Sequence, residues 1–314
     1  MERFRRLAIA STVATLVLIT IGGLVRATKS GLGCGTDWPR CSGKLLPALE
    51  SRAVAIEFSH RLAAFAVVVL LAALAWTAWR AQPHRRDLRR AATAAFGLVL
   101  FQALLGAVVV KLELEAVSVV LHLATAMALL GLLVYIALAA QEDRSGEGMG
   151  DRTSSRKATV AAASVLVLLM VGSYMSGTRG AALAFGDWPL MGGRPVPDLS
   201  AGPGALHFLH RALALVVGIV VVAAVWDVIR RKAELPVPAR LAHVAVGLFA
   251  IEILIGAANV WTRLNEVVVT AHLFVGATIW AALVALAVAC RPRTVEHVPG
   301  QSARRAEPAL NAGR

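Results

Sequence analysis

The sequence predicts an all-α membrane protein of eight transmembrane helices, arranged as two tandem four-helix bundles related by a pseudo-two-fold axis along the membrane normal. Three observations predict it. Of the 314 residues, 58% are hydrophobic and only 16% charged, with a mean hydropathy of +0.69, whereas soluble domains carry about a quarter of charged residues. The apolar residues gather into eight runs long enough, or nearly so, to cross ~30 Å of hydrocarbon as helices. The chain also superposes on itself at a shift of 150 positions: Asp37-Trp38-Pro39 on Asp187-Trp188-Pro189, His60-Arg61 on His210-Arg211, Gly106-Ala107 on Gly256-Ala257 and His122-Leu123 on His272-Leu273. A register held without a gap over that length marks a duplicated unit. Each unit has an even number of helices, so both copies keep the same orientation in the bilayer.

The runs are Leu7–Val25, Arg61–Trp79, Ala91–Val110 and Ala116–Ala140, then Ala158–Met175, Leu206–Ile229, Leu241–Val260 and Val267–Cys290. The first is longer than a signal-peptide core and lacks a small-residue cleavage site before its polar loop, so it counts as a helix. Each half runs helix, long outer loop, helix, basic inner turn, helix, tight outer turn, helix. The halves are residues 1–140 and 158–290. Between them lies a polar, glycine-bearing segment, 141–157, expected to be a mobile cytoplasmic join, and the Pro-, Ala- and Arg-bearing tail 291–314 is expected to be disordered.

A net charge of +13 would suggest nucleic acid in a soluble chain, but here the cations fall in short clusters between apolar runs. The N-terminus (Arg3, Arg5, Arg6), the turns Arg80–Arg90 and Arg230–Arg240, the linker and the tail hold 21 of the 32 Lys and Arg. Positive segments stay inside, so both termini are expected to be cytoplasmic, and nucleic acid is excluded as a partner. Cys34 and Cys41 then share the first outer loop, an oxidising compartment where a disulfide is the default. Cys290 ends the last helix at the inner face as an inert packing residue. The long outer loops, about Arg26–Ile56 and Gly177–Ala205, carry Trp38 and Trp188 as expected interfacial anchors.

Ionisable groups at the edge of a membrane helix are costly and ask for a reason. Glu57-Phe58-Ser59-His60-Arg61 sits at the mouth of the second run, and His207-Phe208-Leu209-His210-Arg211 at the mouth of the sixth. Each is followed 62 residues later by a further histidine, His122 or His272. All four histidines fall at similar depth near the outer side. Two imidazoles facing each other from two helices of a bundle are a common means of holding a haem by both axial positions. A lone histidine would more simply be packed against a neighbouring helix through a hydrogen bond, but two matched pairs favour haem. His84, His243 and His297 fall at the inner side and read as structural or solvated. His207, one turn before His210, either lines a haem edge or sits at the interface.

Arg61 and Arg211 follow the ligand candidates directly, where a guanidinium can pair with a haem propionate or snorkel to headgroups. Glu57 breaks the repeat, because its counterpart is His207. A carboxylate drawn out of water beside one haem only can accept or relay protons. The competing reading makes it a helix-start group paired with Arg61 at i+4. With catalysis at Glu57, the first half does chemistry and the second moves electrons. Gln102 and its repeat partner Glu252 are intramembrane polar groups and read as helix-packing residues. Gly31, Gly33 and Gly35 neither follow a strand nor open a helix, which excludes a phosphate loop, and the cysteine spacing excludes a zinc site.

At Arg26, Thr28, Ser30-Gly31-Leu32, Cys34, Asp37-Trp38-Pro39, Cys41, Gly43, Glu57, His60-Arg61, His122-Leu123, Asp187-Trp188-Pro189, His210-Arg211 and His272-Leu273, the chain resembles the haem A synthase family. The resemblance covers about residues 7–290. It implies that His60 and His122 hold the substrate haem O, that His210 and His272 hold a b-type haem, and that Glu57 takes part in oxidising a ring methyl of haem O, the C8 methyl, to formyl through an alcohol. It further implies a bacterial inner membrane, haem A destined for a terminal oxidase, and haem O arriving from a haem O synthase. The electron acceptor and self-association into a homo-oligomer are left open. Some members carry a second cysteine pair, but here Ala184 and Met191 stand opposite Cys34 and Cys41.

Two other classes compete. A di-haem b-type cytochrome exchanging electrons with quinol has no need of a carboxylate beside one haem only. A parallel-repeat transporter should place polar groups and broken helices at the midplane, whereas these ionisable residues cluster at the outer edge.

Overall fold

The computed structural model describes residues 2–82, 84–141, 150–200 and 202–292. The middle of the linker with Arg144, and the tail with Arg293 and His297, lie outside the described residues. Eight helices follow in order: α1 Glu2–Ala27, α2 Arg52–Ala81, α3 Arg86–Lys111, α4 Ala116–Ala139, α5 Arg152–Gly177, α6 Gly202–Arg230, α7 Pro236–Trp261 and α8 Glu266–Ala289. All eight are long and apolar enough to cross a membrane, and no strand occurs among the described residues. The protein is a multi-pass, all-helical membrane protein.

One helix begins well before the apolar run that announced it: α2 starts at Arg52 rather than Arg61. The Ser51 side chain accepts from Val54 N and caps the start of α2, satisfying one of the amide donors that a helix leaves free. Hydropathy misses this extra length because Glu57, Ser59, His60 and Arg61 are polar. Glu57 and His60 therefore do not open their helix; His60 lies about two turns inside it.

Contacts join α1 to α2, α2 to α3, α3 to α4 and α4 back to α1, and the same closed order holds for α5 to α8. The two rings meet through α1 against α8, α4 against α5 and α4 against α8. Glycines line that seam: a methyl on Gly23 would lie 2.7 Å from Leu273 Cδ2, one on Gly131 2.4 Å from the Trp280 ring, and one on Gly177 2.8 Å from Ala116 Cβ. Close approach of backbones through small residues is how membrane helices gain packing without a hydrophobic drive between them.

The buried apolar residues fall into two clusters. Phe4, Leu74, Ala78, Leu88, Ala92, Ile136 and Ala140 form one core, and Ala158, Ala224, Val228, Ala242, Leu286 and Cys290 belong to the other. The first lies towards the end that carries the N-terminus and the linker; the second starts there and runs along the helices as far as Val217, Phe249 and Val275. Towards the long loops the packing opens. α2 buries no residue between Glu57 and Val67, α6 none between His207 and Val217, and α4 none between Ser118 and Met127. Lipid-facing residues such as Leu62, Phe65, Val69 and Trp76 of α2 point outward along one stripe.

Candidate functional site

The four histidines project into the open ends of the two rings. His60 and His122 lie within electrostatic reach of each other, as do His210 and His272. Their helices sit diagonally, since α2 does not touch α4 and α6 does not touch α8. Each imidazole rests edge-on against a glycine of the next helix. A methyl at Gly22 of α1 would stand 3.2 Å from His60 Cε1, one at Gly106 of α3 3.1 Å from His122 Cε1, one at Gly172 of α5 3.0 Å from His210 Cε1, and one at Gly256 of α7 3.5 Å from His272 Cε1. The four glycines keep the shift of 150 that relates the histidines. Reading along the chain found Gly106 and Gly256 as part of the repeat but gave them no task, and missed Gly22 and Gly172.

A histidine packed for structure alone finds a hydrogen-bond partner on a neighbouring helix. His60, His122 and His210 have none on either ring nitrogen among the described residues, and their buried Nδ1 atoms are unsatisfied. The rings are therefore held by packing, with nitrogen lone pairs left over. Among the described residues no three His, Cys, Asp or Glu side chains converge on one point. A pair of imidazoles is too few for a bare ion and suits an iron that brings its own four equatorial nitrogens. The donor sets fit haem in both rings.

Around the first pair the structure adds a charged group and a disulfide. Cys34 and Cys41 are bonded and buried. Glu57 is 3% exposed; its Oε2 accepts from Cys34 N at 2.7 Å, and its Oε1 accepts from Arg61 Nε at 3.1 Å and from Arg61 Nη2. Arg61 Nη1 also donates to the carbonyls of Asp37 and Arg40 at 3.0 and 2.9 Å. The i+4 pairing expected of a structural carboxylate is thus present, and it ties Glu57, the disulfide loop and the helix of His60 into one unit.

The second ring repeats the loop without the carboxylate. Arg211 Nη1 donates to the carbonyls of Asp187 and Leu190 at 3.1 and 2.9 Å. The Asp187 carboxylate accepts from Gly192 N and Gly193 N at 2.8 Å each, as Asp37 accepts from Gly43 N at 3.1 Å. The Asp-Trp-Pro motif is therefore a loop closure, and the arginine after each histidine grips that loop. At the place of Glu57 stands His207, buried, with its ring 5.5 Å from that of Phe185. His243 is exposed with Nδ1 at 2.7 Å from the Ala239 carbonyl, His84 is exposed, and Cys290 is a buried free thiol. Trp188 packs edge-on against Trp261, and Trp38 is partly exposed.

The family model described as cytochrome oxidase assembly protein, COX15-CtaA, matches residues 5–284. The chain belongs to this family. The chain is 32% identical to a Halalkalibacterium halodurans protein named Heme A synthase, over 69% of this chain and 73% of that one. It is 30% identical to a Symbiobacterium thermophilum protein of the same name, over 82% and 85%. A Thermus thermophilus protein named Protoheme IX farnesyltransferase is 30% identical over 90% of this chain but only 48% of its own length.

Proposed function

We propose that this chain is a haem A synthase, which oxidises the C8 methyl of haem O to a formyl group and so supplies haem A for assembly of a terminal oxidase. The observation that carries the reading is the asymmetry of the two sites: two glycine-backed histidine pairs without hydrogen-bond partners on the protein, and a disulfide loop anchored on the buried Glu57 carboxylate in the first half only. The family and the relatives named Heme A synthase support it.

In this reading His60 and His122 bind the substrate iron and fix how the porphyrin is turned. Glu57 would take up protons released as the methyl passes through the alcohol to the formyl stage, with water supplying the oxygen atom and an external electron acceptor taking the electron pair that each step releases. Arg61 keeps Glu57 in place. A b-type haem held by His210 and His272 supplies one-electron transfer. Arg61 and Arg211, from the positions on which they grip their loops, and His207 beside Phe185, border the haem edges. The two rings are read as rotated copies about the membrane normal, residues 1–140 and 158–290, in a bacterial inner membrane with both termini cytoplasmic. The Thermus thermophilus relative, which contains a length matching most of this chain, supports a haem O synthase as the neighbour that delivers substrate.

The test is extraction and chromatography of haems from cells that make haem O, with and without this chain. A new formyl-bearing haem is expected. Purified protein with low-spin haem but no haem A formed in such cells would instead establish a di-haem cytochrome.

A further inference from the structure

The second histidine pair contains a difference that the duplication does not require. Glu252 of α7 places Oε1 3.2 Å from His272 Nδ1, inside the ring, with its side chain 14% exposed. Its other oxygen, Oε2, is buried without a partner. Room for the carboxylate comes from Gly276, one turn after His272 on α8: a methyl there would lie 2.9 Å from Glu252 Oε1 and 2.9 Å from Leu169 Cδ2. The corresponding positions of the first ring hold Gln102 and Ala126. Gln102 Nε2 bypasses the ring of His122 and donates to its backbone carbonyl at 2.8 Å. Two positions on two helices thus differ together, and among the described residues only His272 of the four has a carboxylate at ion-pair distance from Nδ1, close to it but not aligned as a hydrogen bond.

We propose that Glu252 is a positioning residue for His272: it accepts the Nδ1 proton, leaves Nε2 as the ligating nitrogen, and strengthens that imidazole as a donor to the iron of the second site. An acceptor on the far nitrogen of a ligating histidine fixes its tautomer and ring angle and raises its basicity. A stronger donor favours the ferric state, so this contact sets the second haem lower in potential than His210 and an unassisted His272 would. The first ring, with Gln102 turned away, lacks that bias.

The inference rests on His210 and His272 as haem ligands, and the experiment separates the two. Full-length protein in detergent is titrated spectroelectrochemically and examined by low-temperature electron paramagnetic resonance, as wild type, Glu252→Gln, Glu252→Asp, Gly276→Ala, His272→Ala and His60→Ala. Glu252→Gln is expected to keep its low-spin haem with the ferrous-to-ferric ratio at fixed potential raised about tenfold, or about 59 mV for a one-electron couple. Gly276→Ala, which retains both polar groups but crowds the carboxylate, should move the same way, and Glu252→Asp should recover part of the shift. If Glu252→Gln cannot hold haem, Gly276→Ala decides by the same reading. Wild-type potential and resonance in both variants, with the b-type low-spin component lost in His272→Ala, would leave the ligands standing and remove Glu252 from the site. A b-type haem content and low-spin resonance undiminished in His272→Ala but lost in His60→Ala would overturn the ligand assignment itself.

Discussion

A single methyl group decides how each imidazole sits. At Gly172 the added carbon would come within 3.0 Å of His210, at Gly106 within 3.1 Å of His122, but at Gly256 only to 3.5 Å of His272, an ordinary contact. Gly172→Ala and Gly106→Ala should therefore lower haem per protein, while Gly256→Ala should not. Alanine is the better helix former by about 1 kcal/mol, so thermal stability of the haem-free protein should hold or rise in all three; pyridine haemochrome assay beside thermal unfolding reads the two effects separately. Glu57→Ala should retain haem at both sites yet abolish conversion, and haem A still formed in its presence would take Glu57 out of the chemistry. The histidines and Glu57 were legible in the sequence because polar groups stand out from apolar runs and recur, or conspicuously fail to. The glycines were not: a small residue says nothing until the neighbour it makes room for is known. Glu252 was visible as a charge, but its target on α8 depends on which helices close the ring.

The loops and caps show the same division between pattern and partner. Asp-Trp-Pro recurs in the sequence, but its role, a carboxylate closing on glycine amides while the arginine two turns down α2 or α6 grips the carbonyls, appears only once the loop is folded back. The start of α2 was illegible to hydropathy for a physical reason: Glu57 and Arg61 belong to the helix and are satisfied by the loop above. At the opposite end Asp151 caps α5, accepting from Ser154 N at 2.8 Å and pairing with Arg231 Nη2 at 2.6 Å. The Arg231 guanidinium, with help from the Ser154 amide, holds the Asp151 carboxyl down to about 2 from its usual 3.8. A carboxylate lowered on folding contributes fully above its unfolded value and loses that contribution as pH falls through the folded one. Asp151→Ala should thus cost about 1 kcal/mol at neutral pH, with the gap to wild type closing between about pH 4 and pH 2 in thermal unfolding followed by circular dichroism.

At the scale of the whole molecule, the separation of packed core from histidine-bearing end governs what haem removal does. The apolar cluster around Leu74 and Ile136 lies away from the imidazoles, and the one around Val228 and Leu286 has its base at that same end. Haem-depleted protein should keep its helical circular dichroism and lose only the stabilisation that ligand binding confers, seen as a lower unfolding temperature restored by haem. Composition and repeat made eight spans and their pairing legible, because span length and duplication are written in one dimension. The seam between the rings was not, since it depends on which small residue meets which large one. There Gly131 takes the Trp280 indole, while the residues 150 positions away from these, Ala281 and Leu130, offer neither the notch nor the ring to fill it. Like cannot dock on like across that joint. A protein severed in the linker should accordingly regain its spectrum only when both unlike fragments are made together, and neither fragment alone should self-associate into a working substitute.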